Sequence, residues 1–139
     1  MKSRIQELVL PDTSKLRVVE SRIGQVKFRK DLLKYWKTCA VTGFKGERLL
    51  RASHIKPWTI ANSTERLDSF NGLLLIPNLD ALFDGGFISF DRQGKIVISS
   101  QIPGTEYAVL GLATEMKLRK IYGAHAPYLA FHFENIFKL

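Results

Sequence analysis

Two aspartates four residues apart, Asp80 and Asp84, are the first side chains in this 139-residue sequence whose spacing could support chemistry. They lie in the segment NLDALFD, where an asparagine N-cap and the apolar spacing predict a short helix. Because residues i and i+4 share one helix face, both carboxylates can reach one point. Their oxygens suit Mg²⁺, Mn²⁺ or Ca²⁺. Alternatively, Asp84 is a surface residue and Asp80 an acid that favours the helix dipole.

His54, in the stretch RASHIKPW, is the second candidate. A neutral imidazole with a pKa of about 6.5 can take a proton from water at neutral pH. Hydrolysis of a phosphodiester needs such a base on one side and a cation on the other. The alternative is a histidine that is hydrogen-bonded in the core, and the residues next to His54 do not choose between the two roles.

Asn71 begins the next apolar segment, FNGLLLIP, which predicts a strand ended by Pro77. Its amide can tie the preceding loop to this strand, or it can orient the histidine. The pair Asn-Gly is also a turn dipeptide, so a turn residue is the alternative.

The predicted elements bring these residues together. A strand over residues 48–55, an irregular loop over 56–69, the second strand and the short helix follow one another along the chain. Residues 87–99 alternate around a turn and predict a β-hairpin, and helices are predicted over 105–120 and 128–137. The fold class is therefore α+β.

The charge of the chain is positive and unevenly distributed. Lys and Arg total 21 against 13 Asp and Glu, and residues 1–38 hold ten basic and four acidic side chains, which gives +6 of the net +8. A helix is predicted from about Ser21, with an apolar stripe of Phe28, Leu32, Tyr35 and Trp36. Lysines line another face of it, which is either an ordinary solvated face or a surface that contacts phosphates.

The composition also bounds the organisation of the chain. Residues 1–21 predict an arm or linker, and residues 22–139 one domain. A single cysteine, Cys39, excludes an internal disulfide and a zinc site built from cysteine pairs, so no structural zinc is expected. No apolar run reaches the roughly 18 residues of a membrane span, and no signal peptide is recognisable, so a cytoplasmic protein is expected.

Three segments, SHIKP, FNGLLL and NLDALFDGGFISFD, resemble the HNH endonuclease family in its restriction-type branch. That branch usually reads A-H-I-x-P, N-G-L-L-L and L-[HD]-x-L-F-D. Residues 22–43 resemble the stretch that precedes these motifs, and YLAFHFENIF resembles the usual ending. The resemblance implies a ββα-metal (His-Me finger) core, preceded by the basic helix and followed by the hairpin and C-terminal helices.

The resemblance also implies roles for individual residues. His54 would be the general base, and Asn71 the structural asparagine of the family name. Asp80 would be a metal ligand, and Asp84 the second ligand or its support. Ser53 stands where many HNH enzymes have an acidic or histidine ligand, so the protein part of the metal shell is expected to be small. Aspartate in place of histidine favours Mg²⁺ or Mn²⁺ over Zn²⁺.

The sequence thus predicts a metal-dependent HNH endonuclease that hydrolyses DNA, in restriction or phage defence. A single site nicks one strand, so a double-strand break would need a homodimer or two visits. The chain has little room for a separate recognition domain, so we expect a targeting domain or subunit outside it. The first alternative is a catalytically weak HNH-like module that binds nucleic acid. The second is an unrelated α+β interaction domain with a structural histidine. The candidate nucleic-acid contacts are Lys27, Lys30, Lys34, Arg51, Lys56 and His132, of which His132 has bracing of the site as its alternative.

Overall fold

The computed structural model describes residues 12–139, so most of the predicted N-terminal arm lies outside it. Helix α1 spans Asp12–Trp36 and passes position 21 without a break, so the predicted start at Ser21 was too late. The early turns escaped prediction because their apolar residues, such as Leu16 and Val19, are exposed and do not follow the buried stripe. The division of the chain at residue 21 stays a prediction.

The strand-loop-strand-helix order is confirmed. Strand β1 (Arg51–His54) pairs antiparallel with β2 (Gly72–Leu75), in a register that places His54 opposite Gly72. Helix α2 (Ser63–Leu67) and a 3₁₀ turn (Ser69–Asn71) lie between the two strands. Helix α1 contacts both strands, and β2 is buried along its whole length.

Helix α2 corrects the prediction that residues 56–69 form an irregular loop. The Asn62 side chain accepts a hydrogen bond from the backbone N–H of Glu65, and the Glu65 carboxylate accepts one from the N–H of Asn62, both at 2.8 Å. This reciprocal capping box satisfies two donors that a helix start would leave unpaired, and it stabilises even a five-residue helix.

Helix α3 (Pro77–Asp84) is the predicted short helix, although its start differs. Ile76 is the N-cap and Pro77 opens the helix, since proline fits the first helical position. Asn78, predicted as the N-cap, instead donates its side-chain N–H to the Leu110 carbonyl at 2.8 Å.

The predicted hairpin is confirmed as β3 (Ile88–Phe90) and β4 (Ile96–Ile98), and the predicted closing helix as α4 (Ala126–Asn135). The helix predicted over 105–120 is wrong, because the segment forms only a 3₁₀ turn at Gly104–Glu106 followed by turns. Gly111 has a φ of 71° there, a left-handed conformation that ends a helical path.

The predicted apolar stripe of α1 packs into the core. Phe28, Leu32 and Trp36 are at most 5% exposed, and the first two reach over Gly72 at the start of β2. A Cβ on Gly72 would lie 2.5 Å from the Phe28 ring and 2.7 Å from a Leu32 methyl. Glycine is therefore required at 72 for space, since any side chain there would displace α1.

We expect Gly72→Ala to lower the free energy of unfolding by about 2 kcal/mol, because the added methyl overpacks the contact between α1 and β2. Urea denaturation measures this change. Gly104→Ala is the matched control, since its Cβ would have no neighbour within 4 Å, and its change should stay within about 0.5 kcal/mol. Equal effects of the two substitutions would contradict this account.

Candidate active site

His54 lies at the end of β1 in a half-buried position between aromatic rings. Its imidazole stacks on Phe28 with ring centroids 3.7 Å apart and planes 9° from parallel. The Trp58 ring meets it edge-on at 5.5 Å. These two contacts fix the plane of the imidazole, and the first depends on the absence of a side chain at Gly72.

The hydrogen bond of His54 determines which ring nitrogen is available. Nε2 lies 2.9 Å from the backbone carbonyl oxygen of Arg66. A carbonyl oxygen can only accept, so Nε2 carries the hydrogen and, in the neutral ring, Nδ1 keeps the lone pair. Burial lowers the pKa of His54, and the bond to the Arg66 carbonyl only partly opposes this. The imidazole is therefore neutral at pH 7, with Nδ1 able to accept a proton.

Asn71 holds the segment that presents the Arg66 carbonyl. Its side chain is fully buried; Oδ1 accepts from the Lys56 N–H at 2.7 Å, and Nδ2 donates to the carbonyls of Lys56 at 3.2 Å and Glu65 at 3.1 Å. Of the roles that the sequence left open, these contacts correspond to tying the loop. The amide acts on His54 only through this segment.

Lys56 is already paired within the same segment. Its ammonium lies 2.9 Å from the Glu65 carboxylate and 5.1 Å from the centre of the Phe131 ring, and both charged side chains are 21% exposed. In the structure, Lys56 thus joins two parts of the loop through its pair with Glu65. Its contact with nucleic acid stays a prediction.

The second half of the site lies between β1 and α3. Ser53 is 4% exposed, and its hydroxyl donates to the half-buried Asp80 carboxylate. Burial raises the pKa of Asp80, and the bond from Ser53 opposes this shift. The negative charge of Asp84 raises this pKa further, whereas the nearby Arg51 guanidinium lowers it. The structure thus brings together the predicted Ser53, Asp80 and Asp84.

A divalent cation, as the family resemblance implies, fits this donor set in part. All the donors are oxygens, which hard cations prefer, and burial leaves the charge of Asp80 poorly compensated. Within residues 12–139, no group of three or more histidine, cysteine or acidic side chains is arranged to hold a metal. Water and substrate oxygens would therefore complete most of the shell, as Mg²⁺ commonly requires.

The two halves of the site approach β1 from different sides. Successive side chains of a strand point to opposite faces, so Ser53 faces α3 while His54 faces α1. Among the described residues, β1 pairs only with β2, so its other edge carries no strand. A phosphodiester along that edge would have the imidazole on one side and the carboxylates on the other.

His132 corrects one predicted DNA contact. Its side chain is 1% exposed and stacks on Phe83 at 3.8 Å. Nε2 donates to the Phe83 carbonyl, and Nδ1 accepts from the Ser89 hydroxyl, both at 2.8 Å. Burial lowers the pKa of His132 to about 4, although the hydrogen bond to the Phe83 carbonyl by itself would raise it. The residue braces α4 against α3 and β3 and does not reach a surface that DNA could touch.

The lysines of α1 lie away from the histidine. Lys30 and Lys34 are exposed, and the helical spacing puts them on the side of α1 opposite Phe28, which stacks on His54. Lys27 forms an ion pair with Asp31 at 2.8 Å. Arg51 is exposed beside Asp80 and is the predicted phosphate contact that lies at the carboxylate cluster.

Sequence reasoning gave no role at the site to Phe28, Trp58 and Arg66, which surround His54. For Arg66, a signal was present in NSTE, the capping-box pattern that starts α2 and fixes the position of the carbonyl. For Phe28 no local signal exists, because its contact with His54 joins residues that are distant in the sequence. Trp58 follows His54 by only four residues, but the spacing alone does not show that the two rings touch.

The HNH endonuclease family model matches residues 39–91, a segment that runs from Cys39 through β1, β2 and α3. The matching family is that of the HNH endonucleases. We call residues 39–91 the HNH segment; it contains His54, Asn71, Asp80 and Asp84. The predicted resemblance to the HNH endonucleases is thereby confirmed over this segment.

Comparisons with curated proteins and with solved structures add less. No curated protein matches the chain. A solved structure, a modification-dependent TagI restriction endonuclease, is similar at 21% sequence identity with a TM-score of 0.47, over 77% of this chain. This chain spans 37% of the length of that protein. In the described residues, no helix is both long and apolar enough to cross a membrane.

We expect Asn71→Ala to lower the free energy of unfolding by about 3 kcal/mol, because it leaves the buried backbone groups of Lys56 and Glu65 without partners. Chemical denaturation measures this loss. Asn135→Ala is the control, since it removes one exposed bond to the Phe131 carbonyl and should change stability by less than about 0.5 kcal/mol. A loss no larger than that of the control would show that Asn71 does not hold the loop.

His132 predicts a dependence of stability on pH. Its pKa of about 4 lies below the ordinary value of 6.5, so the unfolded chain binds the proton first as the pH falls. The stability from the neutral ring is therefore complete above pH 6.5 and is lost towards pH 4, by about 2 kcal/mol between pH 7.5 and 5. His132→Gln should remove this part of the slope in urea titrations. If the free energy of unfolding varied with pH in the same way in both proteins, His132 would not be the source of this dependence.

Proposed function

We propose that this protein is a metal-dependent HNH endonuclease that hydrolyses phosphodiester bonds of DNA, in restriction or phage defence. One observation carries the proposal: a neutral imidazole with a free Nδ1 stands at the same strand end as the hydrogen-bonded pair Ser53 and Asp80. A base and an oxygen-rich cation site on either side of one strand edge are what hydrolysis of a phosphodiester requires.

His54 would act as the general base. Its Nδ1 takes a proton from water, whose oxygen attacks phosphorus, while Nε2 keeps its hydrogen on the Arg66 carbonyl. The positive charge that forms on the ring is stabilised by this carbonyl dipole, so the same bond orients the base and supports its protonated form. Phe28 and Trp58 keep the ring in one plane during the transfer.

Asp80 and Asp84 would hold the cation, with Ser53 orienting Asp80. A bound Mg²⁺ or Mn²⁺ would supply Lewis-acid stabilisation of the leaving oxygen. Arg51 stands close enough to the carboxylates to pair with a neighbouring phosphate. One such site cuts one strand, so cleavage of both strands would need a second copy of the chain or two visits by one site, and a targeting partner would supply the choice of DNA. A cytoplasmic location accords with a DNA substrate in a restriction role.

A DNA-binding module without catalysis is the second candidate, and the small donor set favours it. Ser53 stands in place of an acidic or histidine ligand and Asp80 in place of the third-position histidine, so the site would hold a cation weakly. Calorimetric titration with Mn²⁺ distinguishes the two, since the endonuclease needs a binding site that Asp80→Asn removes.

We expect plasmid cleavage in Mg²⁺ or Mn²⁺, and a loss of about 10²- to 10⁴-fold in rate for His54→Ala. Asp80→Asn should also abolish cleavage, because the amide keeps the shape but not the charge. Asp31→Asn is the matched control, since its exposed ion pair on α1 lies outside the site and contributes little. Circular dichroism confirms that each variant is folded. Plasmid left intact in both metals, or cleaved equally by His54→Ala, would overturn the proposal.

A further inference from the structure

A groove of about 1190 Å³ runs between residues 17–29 of α1 and the loop that carries Trp58 and α2. Trp58 and Leu67 contribute apolar lining. Among the residues that line it, five are charged, and four of these are arginines: Arg17, Glu20, Arg22, Arg29 and Arg66.

The groove is positively charged and partly preorganised. Two nitrogens of the Arg29 guanidinium donate to the carbonyls of Leu50 and Glu47, at 2.6 and 2.7 Å, so this charge is fixed in position. The Arg66 guanidinium lies 4.7 Å from the centre of the Trp58 ring, while its Nε donates to the Trp58 carbonyl. Guanidinium groups are well suited to phosphate oxygens, and an aromatic face to nucleobases.

Two residues that line the groove also contact the candidate base, His54. Trp58 touches the His54 ring edge-on, and the Arg66 carbonyl binds His54 Nε2, so two lining residues also position the imidazole. On α1, Arg17, Ser21, Gly24 and Phe28 follow at i, i+4, i+7 and i+11 and form one stripe. This stripe begins in the groove and ends at the ring that stacks on His54.

Gly24 keeps the groove narrow at this end. A Cβ there would stand 3.4 Å from a Leu67 methyl and 3.6 Å from the Trp58 ring, so the α1 backbone lies directly against the loop. The two walls of the groove therefore approach each other at Gly24, one turn of α1 before Phe28. The face of Lys30 and Lys34 is an exposed helix surface on the other side of α1.

We infer that this groove binds the DNA strand next to the scissile phosphate, with the arginines on phosphates and Trp58 against a base. The inference rests on the proposed endonuclease function and deepens it. It also reassigns the DNA-binding role on α1 from the lysine face to the arginine-lined face, because only the latter adjoins His54.

Two double variants test the inference, and each removes two positive charges from α1. We expect Arg17→Ala/Arg22→Ala to raise the Kd for a fluorescein-labelled oligonucleotide at least about tenfold. The slope of log Kd against the logarithm of the salt concentration should fall by about two. Lys30→Ala/Lys34→Ala should change Kd less than about threefold. Anisotropy in EDTA measures binding without turnover, so the result does not depend on whether the protein cleaves DNA.

Intrinsic fluorescence supplies a second test. Trp58 lies in the groove whereas Trp36 is buried, so oligonucleotide should quench the emission of the wild-type protein but not that of Trp58→Phe. Equal losses of affinity in the two double variants, a larger loss in the lysine variant, or quenching that persists in Trp58→Phe would each overturn the inference. Failed cleavage with intact groove binding would count against the proposed endonuclease alone.

Discussion

The hydrogen bond from His54 Nε2 to the Arg66 carbonyl is the contact on which the rest of the site depends. It joins the end of β1 to a helix of five residues that would not be stable alone, and that helix is in turn held by its capping box and by Asn71. The loop between the strands is thus a positioning element. Its conformation decides which nitrogen of His54 can accept a proton.

Burial acts on both halves of the site with opposite consequences. It lowers the pKa of His54, which keeps the imidazole neutral and able to act as a base. It raises the pKa of Asp80, which makes the carboxylate costly to ionise unless a cation compensates it. The same packing therefore favours a neutral imidazole on one side of β1 and disfavours the charged form of Asp80 on the other.

The sequence predicted those features that are local. The spacing of Asp80 and Asp84, the strand-helix order and the stripe from Phe28 to Trp36 each follow from one segment, and the structure has them. Features that arise from tertiary contacts were missed or misassigned. For His132 the sequence leaves DNA contact and bracing open, and only the enclosure by Phe83 and Ser89 favours bracing. The pairing of Lys56 with Glu65 is likewise visible only in the structure.

Helix α1 shows why charge counts alone could not choose between its basic surfaces as the proposed nucleic-acid surface. The helix carries lysines on one side and arginines on another, and its composition ranks neither above the other. The contact that distinguishes the two sides is the stacking of Phe28 on His54. It is possible because Gly72, on the neighbouring strand, has no side chain to displace the Phe28 ring. Once that ring fixes the rotation of α1, Arg17 and its neighbours face the loop of Trp58 and Arg66. A packing constraint in the core thereby determines which positively charged surface of α1 lies next to His54.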